Sequence, residues 1–266
     1  MKNMKKKLFA GLMVFCFAAL LAGCGSTQPQ SADAGKPAET TTLFAYVGAN
    51  LKEPFTKLAE DYEQETGVKI ECTFNNSGAL LNQMQTMKTG DLYMPGGMPF
   101  VKRAEEAGCI DKMEGPIAIH TPVIVTPKGN PAQIHSLQDL AREDVQLVLP
   151  DQEATAIGKT ISKVFARSGN GPAIEARIIA NVETPAKVMA AITMGQGNAG
   201  IVEYSNTVKA RDKVELIPID EGLNITEDIP IASLRFSAHK EQAEAFLQYV
   251  REKGPEVFAS YGFKTK

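Results

Sequence analysis

The sequence lacks tryptophan altogether, has three histidines and four cysteines, and is only 7% aromatic. Each shortage excludes something. His120, His135 and His239 lie far apart and have no neighbouring acid or nucleophile motif, so surface or packing roles are expected of them and no nucleophile–base pair is legible. The cysteines, Cys16, Cys24, Cys72 and Cys109, form no CxxC or zinc spacing. A net charge of −3 argues against a nucleic-acid surface. Gly158-Lys159 lacks the further glycines of a phosphate loop. The one long apolar run, Leu8 to Ala22, is too short for a comfortable membrane span. No cofactor and no enzymatic activity are expected.

That run follows Met1-Lys2 and the cluster Lys5-Lys6-Lys7, the layout of an exported leader. It ends in Leu21-Ala22-Gly23-Cys24, which resembles the lipobox of bacterial lipoproteins. The resemblance implies removal of residues 1–23 and a lipid thioether on Cys24. Residues 24–41, rich in Ser, Thr, Gln, Pro and Ala, then read as a flexible tether. The expected address is extracytoplasmic, on the outer or periplasmic face, held to a membrane by acyl chains. Of the remaining thiols, Cys72 and Cys109 could pair outside the cytoplasm. We expect two separate, reduced and mostly buried side chains.

The mature part alternates strand and helix patterns. Val68, Ile70, Cys72 and Phe74 have the period of a half-buried strand, and Leu80, Leu81, Met84 and Met87 have helical spacing. Between them Asn76-Ser77-Gly78 marks a helix start, where free amides and a partial positive charge favour an anion; Asn76 or Ser77 as a plain cap explains the residues equally. The same passage from strand through small residues into helix recurs at Gly48-Ala49-Asn50 and near Ala156-Ile157. Asn50 with Glu53 also reads as a capping box, as does Ser136 with Asp139. Met84, Met87 and Met94 are expected in the core. The last apolar stretches read as two closing helices, around Ala243–Val250 and Val257–Tyr261. Strands alternating with helices give an α/β fold with mainly parallel sheets, whose ligands bind at the carboxyl ends of strands.

The order of segments resembles the molybdate-binding subunits of ABC importers. The likeness is carried by Val47-Gly48-Ala49-Asn50-Leu51, Asn76-Ser77-Gly78-Ala79-Leu80, Gly90-Asp91-Leu92-Tyr93, Val125-Thr126-Pro127-Lys128-Gly129-Asn130-Pro131, Ser136-Leu137-Gln138-Asp139-Leu140, Ala199-Gly200-Ile201-Val202 and the closing Val257–Phe263. It implies a two-lobe periplasmic-binding fold of type II, with lobe 1 at 42–121 and 229–266, lobe 2 at 122–228, and two hinge crossings near Thr121–Ile124 and Glu227–Pro230. It further implies an oxyanion, molybdate or tungstate, held between the lobes by hydroxyls and amides and passed to a permease. Carried over by motif, Ser77 matches one hydroxyl, Asn50 stands where another serine is usual, and the amides of Ala156 and Ile157 match a third contact. We expect a monomer.

Two positions depart from that pattern. Pro185, at a helix start that often supplies an amide, has no N–H to give. Glu203 falls where a tyrosine commonly follows Gly-Ile-Val; an ionised carboxylate about 4 Å from a dianion opposes binding by roughly a few kcal/mol. Glu203 either points away and leaves the hydroxyl to Tyr204, or is protonated, or coordinates the anion's metal centre, as Val-Glu-Tyr resembles archaeal-type tungstate binders. Sulfate, thiosulfate, phosphate or a small organic acid in the same cleft, and a surface adhesin or sensor without transport, stay open.

Overall fold

The computed structural model describes residues 41–266. The expected leader, the lipidation at Cys24 and all of the tether before Thr41 lie outside the described residues. Among those described, no helix is long and apolar enough to cross a membrane.

The chain begins with β1 (Thr42–Gly48), a 3-10 turn at Ala49–Leu51, α1 (Lys52–Thr66), β2 (Lys69–Asn75), α2 (Ser77–Met87), β3 (Leu92–Met94), α3 (Met98–Glu106) and β4 (Ile110–His120). Next come β5 (Pro122–Pro127), a 3-10 turn at Gln138–Ala141, β6 (Leu147–Pro150), α4 (Ala156–Ser168), α5 (Gly171–Glu175), β7 (Ile178–Val182), α6 (Pro185–Thr193), β8 (Ala199–Glu203), α7 (Tyr204–Thr207) and β9 (Val214–Pro218). The chain closes with β10 (Glu227–Leu234) and α8 (Lys240–Ser260).

These strands form two five-stranded sheets, ordered β2-β1-β3-β10-β4 and β7-β6-β8-β5-β9. The fold is the expected two-sheet α/β type, with a finer point in the pairing. In each sheet three strands joined through helices run parallel, and the last two strands are antiparallel. The antiparallel pairing follows from the crossings: β5 enters its sheet directly from β4 at Thr121, and β10 returns to the first sheet after β9. Both sheets therefore have the same plan, second-first-third strand and then the strand that arrives from the other sheet.

The central strands are apolar on both faces because both are covered. Leu43, Ala45 and Val47 of β1 join a core with Phe55, Leu58, Phe246 and Val250, while Tyr46 faces Leu81, Met84 and Phe100. In the second sheet Leu147 and Leu149 pack with Ile157, Ile161 and Phe165, while Val148 faces Val188 and Ile192. Each Val, Leu, Ile, Met or Phe side chain fully buried in this way contributes about 1.5–3 kcal/mol.

Several expectations change. The last stretch is one 21-residue helix with Pro255 inside it. Gly254 lies where a Cβ would sit 2.6 Å from Ile117 Cγ2, and Phe258 continues the buried face beyond it. Packing on β4 thus holds the helix together across a missing backbone hydrogen bond. Ser136 and Asp139 do exchange reciprocal bonds, 3.4 and 2.9 Å, but they introduce a single 3-10 turn. Met84 and Met94 are buried, whereas Met87 is 55% exposed at the end of α2. Cys72 and Cys109 are both free; burial, with a lesser push from Glu71, raises the Cys72 thiol to about 12. Gly90-Asp91 lies at the entry to β3, away from the carboxyl ends of the strands. Asp91 accepts from Phe44 N–H at 2.8 Å and Ser237 O–H at 2.6 Å, so it ties neighbouring segments and serves the fold.

Candidate functional site at the carboxyl ends of the two sheets

All six helix-bound strands, three in each sheet, point their carboxyl ends at one cavity of about 30 Å3. From the first sheet come Gly48-Ala49-Asn50 after β1, Asn75-Asn76-Ser77 after β2 and Gly96 after β3. From the second come Thr155-Ala156-Ile157 after β6, Glu183-Thr184-Pro185 after β7 and Glu203 after β8. His120, the last residue of β4 before the crossing, completes the wall. Neither lysine nor arginine lines it.

The helix starts are capped alike. Asn76 Oδ1 accepts from Ala79 N–H at 2.8 Å, and Thr155 Oγ1 accepts from Gly158 N–H at 2.9 Å. A helix leaves its first four amides without intrahelical partners. In α2, Ala79 and Leu80 are served by Asn76, and Gly78 N–H donates across to Ala154 O at 2.8 Å; the amide of Ser77 remains. In α4, Gly158 and Lys159 are served by Thr155; the amides of Ala156 and Ile157 remain. Among the described residues these three have no protein acceptor. Ser77 Oγ, 4% exposed at the residue level, accepts from Gly96 N–H at 3.0 Å, which leaves its own proton free to donate. Gly96 is pressed close: a Cβ there would lie 3.2 Å from Ala156 Cβ, 3.3 Å from His120 Nε2 and 3.4 Å from Ser77 Oγ. Gly96 thus forms part of the cavity wall, while Tyr93 and Met94 before it are buried in the core.

Asn50 does not form the capping box. No side chain caps its turn, and Glu53 instead pairs with Lys209 of the opposite half. Asn50 Nδ2 donates to Glu203 Oε2 and lies 3.3 Å from Ser205 Oγ. Asn206 Nδ2 donates to Asn50 Oδ1. Its side-chain amide is therefore engaged by the other sheet's junction, tying the two halves across the cleft.

Glu203 does not point away. It is 3% exposed and sits at the cavity with both oxygens occupied, Oε2 by Asn50 and Oε1 by His120 Nδ1 at 2.8 Å. It also caps α7 in a reciprocal box with Asn206. Tyr204, the alternative hydroxyl, lies elsewhere: Arg211 donates to its phenol oxygen at 2.7 Å, and it lines a separate hollow with Lys128 and Arg211. Pro185 is at the cavity as expected, with Thr184 capping its helix. The structure thus brings together Asn50, Ser77, Ala156, Ile157 and Glu203, and leaves Tyr204 out. Among the described residues no cluster of three or more His, Cys, Asp or Glu could hold a metal ion.

His120 is the residue that sequence reasoning missed. It is 2% exposed, neither ring nitrogen has an aligned hydrogen bond, and Nε2 would lie 3.3 Å from a Cβ at Gly96, the point that Ser77 Oγ and Ala156 Cβ also approach. Its signal was position: it ends the strand that enters the hinge crossing, and a residue there faces the cleft. His135 is exposed, and His239 lies 3.3 Å from Asp91.

Residues 43–264 match a family described as bacterial extracellular solute-binding protein. A putative binding protein of Haemophilus influenzae is 31% identical over 85% of this chain and 91% of its own length. The molybdate-binding protein ModA of Mycobacterium tuberculosis is 25% identical over 91% of this chain and 92% of its own. Among solved structures, the substrate-binding domain of a putative molybdenum ABC transporter from Clostridium difficile shares the fold, with a TM-score of 0.65, 22% identity, and coverage of 85% of this chain and 99% of that one. With its two sheets facing one cavity across paired crossings, the chain belongs to the bacterial extracellular solute-binding proteins and has the two-lobe fold of the solved substrate-binding structures it resembles.

Proposed function

We propose that the chain is the solute-binding component of an ABC importer, that it captures a small tetrahedral oxyanion, molybdate or tungstate in the first instance, and that a lipid on Cys24 holds it at the membrane. The observation that carries this reading is the convergence, from both sheets, of three amides without protein acceptors and the Ser77 hydroxyl on one small cavity. Dipoles fixed in a dry site hold an anion without a neighbouring lysine or arginine. Lobe 1 (42–121 with 229–266) and lobe 2 (122–228) then close on the anion about the two crossings, and the monomer delivers it to the permease. The cross-cleft bonds of Asn50 and of Gly78, with the Lys209–Glu53 pair, belong to the closed form.

A second reading is a different anion, such as sulfate, thiosulfate, phosphate or a small organic acid. It is favoured by Glu203 and His120 inside the cavity and by the missing amide at Pro185. The sheathing of both Glu203 oxygens supports a positioning role for that carboxylate over direct coordination of a metal centre.

The test is thermal unfolding of the full chain carrying Cys24→Ala, with each anion in turn. A ligand at a hundredfold excess over Kd stabilises by about 2.7 kcal/mol, several degrees for a domain of this size. Molybdate and tungstate are expected to give that shift and Ser77→Ala to shrink it. Response to no anion overturns the reading in favour of an adhesin or sensor. The anchor is checked separately: the unaltered chain should take up labelled fatty acid and Cys24→Ala should not.

A further inference from the structure

We infer that His120, oriented by Glu203, is the charged donor that meets the bound anion, and that it sorts anions by whether they bring a proton of their own. The inference rests on the oxyanion reading of the same cavity.

The argument is a donor–acceptor count. Glu203 Oε1 lies 2.8 Å from His120 Nδ1, an ion-pair contact rather than an aligned hydrogen bond, and its other oxygen accepts from Asn50; with Glu203 ionised, a contact this short places a proton on Nδ1. His120 Nε2 is buried and unpartnered, beside Ser77 Oγ and Ala156 across Gly96. An oxygen of a fully deprotonated anion lodged there is an acceptor, so Nε2 must carry a proton too. A ring with both nitrogens protonated is an imidazolium. A neutral ring with its proton on Nδ1 would instead turn a lone pair towards the anion. A bound dianion without protons therefore requires the charged ring, which also offsets the repulsion between that anion and Glu203. An anion with an acidic hydroxyl, such as hydrogen phosphate, can donate to Nε2 and leave the ring neutral.

Other charges near His120 leave this count intact. Glu227, its cross-strand partner on β10, is bound to Lys163. Glu183, on the cavity rim before α6, is paired with Lys187, whose hydrogen bond holds its carboxyl below the usual range. Glu53 and Lys209 neutralise one another at the outer mouth. Among the described residues Glu203 is the one carboxylate paired with the ring.

The experiment is isothermal titration of molybdate, sulfate and phosphate into the full chain with Cys24→Ala, in two buffers of different ionisation enthalpy, from about pH 5.5 to about 8.5, the range where histidine titrates. For molybdate or sulfate, proton uptake approaching one per anion is expected at the alkaline end. There the affinity should fall about tenfold per pH unit, as linkage requires for one proton. Phosphate should take up less. His120→Gln, which keeps one amide donor, should lose the slope. Glu203→Gln, which takes the carboxylate away from the ring, should weaken the binding of molybdate and sulfate. Binding of molybdate or sulfate without proton uptake at any pH overturns the inference while leaving the oxyanion reading standing; the same holds if His120→Gln keeps the slope. Absence of binding by every anion overturns both. The two-buffer measurement on the otherwise unaltered chain requires neither site variant to fold.

Discussion

The two sheets follow one plan, yet their junctions present different chemistry to the shared cavity. After the first strand of each set, Asn50 extends a side chain to the far side, whereas Thr155 caps its own helix and leaves the amides of Ala156 and Ile157 open. After the second strand, Ser77 offers an amide and a hydroxyl, whereas its counterpart Pro185 offers neither. After the third, Gly96 has no side chain and admits close neighbours, whereas Glu203 fills the space with a carboxylate. One half therefore supplies small groups and reach, and the other supplies two open amides and a buried charge. The site is complete only when both halves face each other, and the hinge histidine sits between Gly96 and Glu203.

The sharpest way to break this contrast is to make one junction like another. Ala156→Pro imports the chemistry of Pro185: proline suits the first helical position, and Thr155 already has the extended backbone that precedes it. The helix should survive while one amide is lost. A hydrogen bond to a charged group is worth about 1.5–3 kcal/mol, so anion affinity should fall about ten- to a hundredfold with little change in unliganded melting temperature, as read by titration and thermal unfolding. Unchanged affinity would mean that the amides of α4 do not meet the anion.

Asn50→Ala tests the tie between the halves. It removes a donor from the buried Glu203 and the bonds to Ser205 and Asn206. We expect roughly a tenfold loss of affinity from faster release, since an unsatisfied buried group costs about 1–3 kcal/mol; stopped-flow release kinetics would show it. The smallest effect sharpens the comparison in reverse. Pro185→Ala restores an amide at the α6 start, and a gain of a few-fold in affinity is expected by titration, within the scale of one neutral hydrogen bond. Weaker binding would show that proline's rigidity matters more than the amide it withholds.

Much of this was legible in the residues. The period-two stretches and helical stripes appeared where expected because burial on both faces of a central strand and one face of a helix imposes those spacings. Asn76 caps its helix because a short side-chain acceptor before a helix has free amides within reach. Ser77, Ala156 and Ile157 were recognisable as open junctions for the same local reason. The misses were contacts between distant parts. Asn50 with Glu53 satisfies the pattern of a cap, but Glu203 and Asn206 compete for its amide and win. His120 looked inert because its carboxylate partner lies far along the chain, at the end of a strand in the other sheet. The closing stretch reads as two helices, and only contact with Ile117 shows why Gly254 is there and why the helix continues through Pro255.

By itself, then, the sequence determined the kind of elements, their order and the amide-bearing turns, since these depend on spacing and on groups a few residues apart. The tertiary structure alone decided that Glu203 turns inward, that Tyr204 turns out to Arg211, and that His120 joins the cavity. Those outcomes depend on β4 running into β5 alongside the end of β8, and on the two sheets' junctions lying close enough for side chains of ordinary length to touch.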